Sequence, residues 1–174
     1  MEFTCETVYD QKAMTAMARA LRKTIRKKRS RRSHILGWII IAAALLITLP
    51  LGGRPFTLDA RTFLNWAAAL AVGAVLLLED TMNGYGARKR LMAGTGQSHS
   101  VFREDSYRTE TGVGATEWNY SSVAQVAETR QYFVFLFDQS HAQVYDKSTL
   151  SGGSPEEFRS FIAQKTGKEV QQIS

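Results

Sequence analysis

Two stretches of the sequence, ILGWIIIAAALLITLPL at residues 35–51 and FLNWAAALAVGAVLLL at residues 63–78, contain no charged side chain. Each is close to the roughly 17–25 residues that a helix needs to cross a bilayer. Helices of this length in soluble proteins carry polar residues along their outer face, whereas these stretches are apolar all round. They predict a two-helix transmembrane hairpin, with spans at 34–53 and 62–79 and a loop at 54–61. Buried helices of a soluble core, and a hairpin that only enters the membrane interface, are the alternatives.

Charge is distributed unevenly around these spans. Residues 1–33 hold ten Lys or Arg and three Asp or Glu, a net charge of +7, whereas residues 91–174 hold seven and ten, a net charge of −3. Basic residues concentrate on the cytoplasmic side of membrane spans. The pattern therefore predicts a two-pass protein of the plasma membrane with both termini in the cytoplasm. Pro50, Gly52 and Gly53 predict the turn after the first span.

The basic residues beside the spans predict contact with lipid. Met14, Met17, Leu21 and Ile25 recur at helical spacing and predict a basic amphipathic helix over 11–33. Attraction to anionic lipid is worth about 1 kcal/mol per nearby basic residue. The predicted headgroup contacts at the inner leaflet are Arg22, Lys23, Arg26, Lys27, Lys28, Arg29, Arg31, Arg32, Arg88, Lys89 and Arg90. Nucleic acid is not the expected partner, because the run adjoins a span and has no interleaved aromatic residues.

The remaining sequence predicts a small cytoplasmic β domain. Residues 80–96 read as a juxtamembrane stalk and linker. Residues 97–174 hold short segments rich in aromatic and β-branched residues, separated by turn signals, and then SPEEFRSFIAQKTGKEV, which begins like a helix at Ser154. Residues 1–10 alternate like a strand that finds its partners at the far end of the chain. The predicted fold class is α+β, with an antiparallel sheet, a C-terminal helix and the N-terminal strand joining the sheet.

No motif predicts an enzyme, a metal site or a cofactor. His34, His99 and His141 are isolated from one another and from the single cysteine, Cys5. The sequence has no HExxH, no GxSxG and no phosphate loop ending in GK[ST]. The expectation is a non-enzymatic protein without a small-molecule substrate.

One aromatic strand, QYFVFLF at residues 131–137, is apolar on both faces. A small domain must bury one face, and the other can be covered by the C-terminal helix, by the N-terminal strand or by a partner protein. The predicted partner surface consists of Trp118, Phe133, Phe135 and Phe137. Within the hairpin, small residues spaced by four, such as Ala67 and Ala71, predict close helix packing, with homodimerisation through the same face as the alternative.

The chain resembles the YcxB-like family of small bacterial membrane proteins. The resemblance rests on VFREDSY (101–107), WNYSSVAQVAETRQYFVFLF (118–137), AQVYDK (142–147) and EEFRSFI (156–162). One departure is Tyr145-Asp146, where family members tend to have an apolar residue and proline. The resemblance implies a fold similar to pleckstrin-homology domains in the C-terminal part, and it implies no catalytic residues.

Two functions follow as hypotheses. The first is a membrane-anchored interaction module that recruits a protein or responds to lipid at the inner leaflet. The alternative is an accessory or immunity-type subunit that acts through its transmembrane hairpin in a larger membrane complex.

Overall fold

A computed structural model describes residues 2–49 and 58–173. It is an α+β structure with two long apolar helices and antiparallel β-sheet. Within these residues the helices are α1 Gln11–Lys23, α2 Lys27–Ile47, α3 Ala60–Lys89 and α4 Pro155–Thr166. The strands are β1 Phe3–Val8, β2 Gln97–Phe102, β3 Ser106–Thr111, β4 Gly114–Asn119, β5 Gln125–Glu128, β6 Tyr132–Leu136, β7 Ala142–Asp146 and β8 Val170–Gln172. The predicted turn at Pro50, Gly52 and Gly53, and residues 54–57 of the predicted loop, lie outside the described residues.

The chain divides into two compact units. The first, here called the hairpin unit, is Lys28–Glu79 and contains the apolar parts of α2 and α3. The second, here called the β domain, combines the chain up to Lys27 with the chain from Asp80 onward. The β domain is therefore built from both ends of the sequence.

The hairpin unit contains two helices that are long and apolar enough to cross a membrane. α2 has 21 residues and contains an 18-residue window with a mean hydropathy of 1.3, and α3 has 30 residues and contains such a window with a mean hydropathy of 1.7. Only 11% of the apolar window of each helix is buried. The helices approach closely at Gly37, where an added Cβ would lie 2.7 Å from a methyl group of Leu76.

The helix predicted over 11–33 is interrupted. α1 ends at Lys23 and α2 begins at Lys27, from where it continues into the apolar run without a break. α1 ends before Thr24, whose backbone leaves the helical conformation (φ −113°, ψ −95°). The Thr24 hydroxyl donates to the Ala20 carbonyl at 2.6 Å, and the Arg26 amide donates to the Leu21 carbonyl at 2.9 Å. The basic residues of this region therefore belong to two helices.

α3 extends ten residues beyond the end predicted for the second span, to Lys89. The extension packs on α1 inside the β domain. Gly84 makes this possible, since an added Cβ would lie 2.7 Å from the Thr15 backbone nitrogen. The Gln11 side-chain nitrogen also donates to the Thr81 carbonyl at 3.0 Å.

Two four-stranded sheets form the β domain. The first has the order β1-β2-β3-β4 and is antiparallel throughout, with Cys5 opposite Ser100. The second has the order β7-β6-β5-β8, in which β8 pairs with β5 in parallel and the other pairs are antiparallel. The N-terminal strand thus pairs with β2, although both apolar helices lie between them in the sequence.

Two apolar clusters fill the β domain. An aromatic cluster contains side chains of both sheets and α4, among them Phe3, Phe102, Phe135 and Phe158. A second cluster packs α1 on the other face of β6, through side chains such as Ala13, Ala20, Leu21, Val134 and Leu136. Because β6 is covered on both faces, all five of its residues are buried.

α4 begins and ends as its sequence predicts. Ser154 and Glu157 form a reciprocal capping box, with Pro155 in the first turn, and Gly167 adopts a left-handed conformation (φ 63°) at the C-terminus. β8 follows this glycine, and the sequence patterns did not predict it.

Candidate functional site

The predicted headgroup contacts fall into two groups. Arg22 is committed to the β domain, because its guanidinium binds both oxygens of Asp80, at 2.6 and 2.7 Å. Arg26 donates to the Gln139 carbonyl at 2.6 Å. The second group is exposed. It consists of basic residues in the first turns of α2 and at the end of α3, namely Lys27, Lys28, Arg29, Arg31, Arg32, Arg88, Lys89 and Arg90. Lys23 is half-buried in the last turn of α1.

The exposed basic residues lie at the start of α2 and at the end of α3. Five of them occupy the first six residues of α2, directly before the apolar run. Of the other three, Arg88 and Lys89 are the last residues of α3 and Arg90 follows it. The Lys89 nitrogen lies over the Tyr85 ring, 4.8 Å from the centroid. Basic groups at the ends of apolar helices suit phosphate headgroups.

The predicted partner surface is wrong for two of its four residues. Phe133 and Phe135 are 1% and 0% exposed, in the aromatic cluster between the sheets and α4. Phe135 packs on Tyr145 with ring centroids 4.8 Å apart, and Phe133 packs on Phe158 at 5.0 Å. The second apolar face of β6, with Val134 and Leu136, is covered by α1. The expected coverings of this face were the C-terminal helix, the N-terminal strand or a partner protein.

Trp118 and Phe137 lie at the edge of the same cluster. Both are half-buried, and their rings pack on each other with centroids 4.9 Å apart. The Trp118 indole nitrogen is buried without a hydrogen-bond partner. Of the predicted partner surface, these two side chains alone keep access to solvent.

Glu128 is the most strongly held charge of the β domain. Its side chain is buried, yet it accepts hydrogen bonds from Arg159 (2.5 and 2.7 Å), from Lys147 and from Gln172 (2.5 Å). Burial opposes ionisation, but these donors outweigh it and lower the pKa to about 2. A carboxylate held in this way joins β5, β8, α4 and the end of β7, and it is not poised to exchange a proton near neutral pH.

The remaining reactive groups are dispersed. Cys5 is buried in β1, where burial raises the pKa of its thiol and the sulfur contacts the Asp146 carbonyl at 3.2 Å. His141 binds Asp138 in an exposed turn at 2.6 Å. Among residues 2–49 and 58–173, no group of three or more His, Cys, Asp or Glu is arranged to hold a metal ion.

The hairpin unit has a site of a different kind. An apolar cavity of about 600 Å³ lies between its helices, with Trp38 and Trp66 in its wall together with Leu45, Leu70 and Leu77. This cavity offers apolar contacts and no charged group. Outside the cavity, His34 and Glu79 of the same unit are joined by a 2.7 Å hydrogen bond.

A known family matches part of the chain. The model of the family described as YcxB-like protein matches residues 102–162, from the end of β2 into α4. The resemblance expected from the sequence is therefore confirmed over these residues. No curated protein and no solved structure matches the chain.

Proposed function

We propose that this chain, with its YcxB-like domain, is a non-enzymatic, membrane-anchored interaction module of the plasma membrane. In this proposal the hairpin crosses the bilayer with both termini in the cytoplasm. The β domain then recruits a protein partner or responds to anionic lipid at the inner leaflet.

The membrane location rests on the apolar surface that α2 and α3 leave uncovered. Leu70 and Leu77 are 75% and 79% exposed, and most other large side chains of the two runs are exposed as well. Burying apolar surface is worth about 25 cal/mol per Å², so a water-soluble chain would cover these side chains. Contact with lipid tails accounts for them.

The interaction role is supported most by the way the β domain is joined to α3. Asp80 and Thr81 follow the apolar run by two and three residues, and both are bound by α1 through Arg22 and Gln11. α1 in turn packs on β6. The β domain therefore includes the end of α3, from Asp80 onward. The basic residues beside the spans support an inner-leaflet orientation.

The fold of the β domain supports a binding role over a chemical one. Among the described residues, seven strands in two sheets precede α4, and β8 follows it in the second sheet. On this arrangement we propose a fold relationship to pleckstrin-homology domains. Its buried carboxylate, Glu128, is neutralised within the domain.

A chimera experiment tests the proposal. Residues 34–79 are replaced by an unrelated two-span hairpin, and the reciprocal chimera joins the native hairpin to an unrelated cytoplasmic domain. Both are extracted gently from native membranes beside the wild-type protein and compared by native mass spectrometry. We expect bound protein or anionic lipid to follow the β domain. Bound molecules that follow the native hairpin alone would contradict the proposal.

The alternative function, an accessory or immunity-type subunit acting through the hairpin, is favoured by one observation. The cavity between Trp38 and Trp66 presents an apolar surface that a helix of another membrane protein could fill. The same chimeras decide between the two functions, since a subunit of this kind would keep its partner when only the native hairpin remains.

A further inference from the structure

A cavity of about 410 Å³ lies in the β domain, beside the first two turns of α1 and the turn from β5 to β6. Its volume is within the range of about 300–1,000 Å³ that is usual for small-ligand pockets. The lining residues that matter chemically are Lys12, Thr15, Arg19 and Arg130. None of them was among the predicted headgroup contacts.

The cavity carries an excess of positive charge. Lys12 and Arg130 are exposed, and neither lies within 4.0 Å of a carboxylate in the part of the chain that the structure describes. Arg19 reaches Asp80 at 3.4 Å, but both oxygens of this carboxylate are already bound by Arg22. Three cations therefore line the cavity, and the carboxylate that Arg19 reaches has Arg22 as a closer partner.

A hydroxyl group adds a neutral donor. Thr15 accepts a hydrogen bond from the Gln11 side-chain nitrogen at 3.2 Å, and no described acceptor takes the proton of its own hydroxyl. Cations together with a hydroxyl donor suit the oxygens of a phosphate group. The Thr129 hydroxyl is not available in the same way, because it is engaged with the backbone of Tyr132.

The proposed function gives the source of that phosphate, and the contacts of the cavity wall lead to α3. Gln11, in the cavity wall, donates to the carbonyl of Thr81. Thr81 follows Leu78, the last residue of the apolar run, by three residues of one continuous helix, a rise of about 4.5 Å. In the proposed function the chain is anchored in a membrane, whose phospholipids supply phosphate groups.

We propose that this cavity binds the phosphate of an anionic phospholipid headgroup, with Lys12, Arg19 and Arg130 as the cations that contact it. The inference deepens the proposed function and rests on it, since it names the lipid site of the module. The exposed basic residues of α2 and α3 provide general attraction to the membrane, whereas the cavity provides one defined headgroup position.

The test uses the full chain in micelles of a zwitterionic detergent and measures binding of short-chain phosphatidylglycerol by calorimetry. Short-chain phosphatidylcholine and glycerol 3-phosphate are titrated separately. The double variant Lys12→Gln, Arg130→Gln removes two cations of the cavity. Its matched control, Arg108→Gln, Lys168→Gln, removes the same charge from exposed positions of the β domain that lie outside the cavity wall and the basic segments. Each nearby basic residue contributes about fivefold, so we expect the cavity variant to bind phosphatidylglycerol about 25-fold more weakly and the control less than threefold.

Three results would overturn the inference. Equal losses in both variants would mean that binding depends on general charge and not on the cavity. Equal affinity for phosphatidylcholine would mean that headgroup charge is not recognised. Glycerol 3-phosphate binding as tightly as the lipid would identify a soluble anion as the ligand. Each of these leaves the proposed function testable, because a protein that follows the β domain in the chimeras would still support it. Arg130→Gln alone, in the turn after β5, repeats the test without altering α1, and we expect a fivefold loss.

Discussion

Replacing Glu128 by glutamine is expected to destabilise the β domain by about 3 kcal/mol at pH 7. The substitution keeps the shape of the side chain and removes its charge, so Arg159 and Lys147 lose their shared anion. The carboxylate itself is 1% exposed, and breaking a buried ion pair by removing one partner costs about 3–5 kcal/mol. Arg159 keeps contact with solvent, with 34% of its side chain exposed, which places the expected loss at the lower end.

The lowered pKa of Glu128 leads to the same magnitude. Burial would raise the pKa, but the hydrogen bonds from Arg159 and Lys147 bring it from an ordinary 4.5 to about 2. Each tenfold change in acidity corresponds to about 1.4 kcal/mol, so the difference is worth about 3 kcal/mol. Because the folded-state pKa is the lower one, this stabilisation is complete above pH 4.5 and is lost as the pH falls from about 4.5 to about 2. The Glu128→Gln variant should lack this part of the acid sensitivity.

Hydrogen exchange followed by mass spectrometry, on the full chain in detergent micelles, measures the effect. A loss of 3 kcal/mol corresponds to about a hundredfold lower protection of amides in β5, β8 and α4. Glu110→Gln is the matched control, because Glu110 pairs with Arg108 at the surface, where both side chains are about half exposed and such pairs contribute about 0–1 kcal/mol. Equal protection in the two variants would refute the assignment of Glu128 as the stabilising charge of the domain.

Two further predictions concern the contacts of α1 and β1. Gly84→Ala should destabilise the packing of α1 on α3 by about 1–3 kcal/mol, because the new methyl group would meet the Thr15 backbone. The control Gly86→Ala has open space around it and should be neutral or stabilising by up to about 1 kcal/mol. Hydrogen exchange of the α1 amides measures the difference between the two variants. Cys5 should react with iodoacetamide at least tenfold more slowly in the native protein than in urea, since it is buried and burial raises the pKa of its thiol. Equal rates would contradict the β1 pairing.

The elements that could be predicted from the sequence are those whose signals are local. The two charge-free stretches identify α2 and α3 as apolar helices because each run is long enough for a helix and contains no charged side chain. α4 is predictable because its capping box and its terminal glycine lie within the helix or beside it. The helix break at Thr24 is a weaker signal, since a single threonine is tolerated in many helices.

The covering of β6 could not be predicted from local patterns. Alternation shows that both faces of QYFVFLF are apolar, but it does not show which element packs on each face. The apolar stripe of α1, with Met14, Met17 and Leu21, was the available signal, because such a stripe needs an apolar surface to cover. Its basic residues favoured a role at the membrane instead.

The cavity lined by Lys12, Arg19 and Arg130 could not be predicted from the sequence either. Lys12 and Arg130 are far apart in the chain, and only the packing of α1 on the second sheet brings them to one cavity. β8 was missed for a related reason, since three residues at the end of the chain carry too little pattern to indicate a strand.

The pairing of β1 with β2 has a consequence for how the chain is made. β1 leaves the ribosome first, but its partner strand follows about ninety residues later, after both apolar helices. If one helix crossed the bilayer and the other did not, the two strands would end on opposite sides and the sheet could not close. Completion of the first sheet therefore requires an even number of crossings. In the proposed two-span topology, a chain inserted with the wrong parity would leave β1 and α1 without partners and exposed to proteolysis, so folding of the domain would act as a check on membrane insertion.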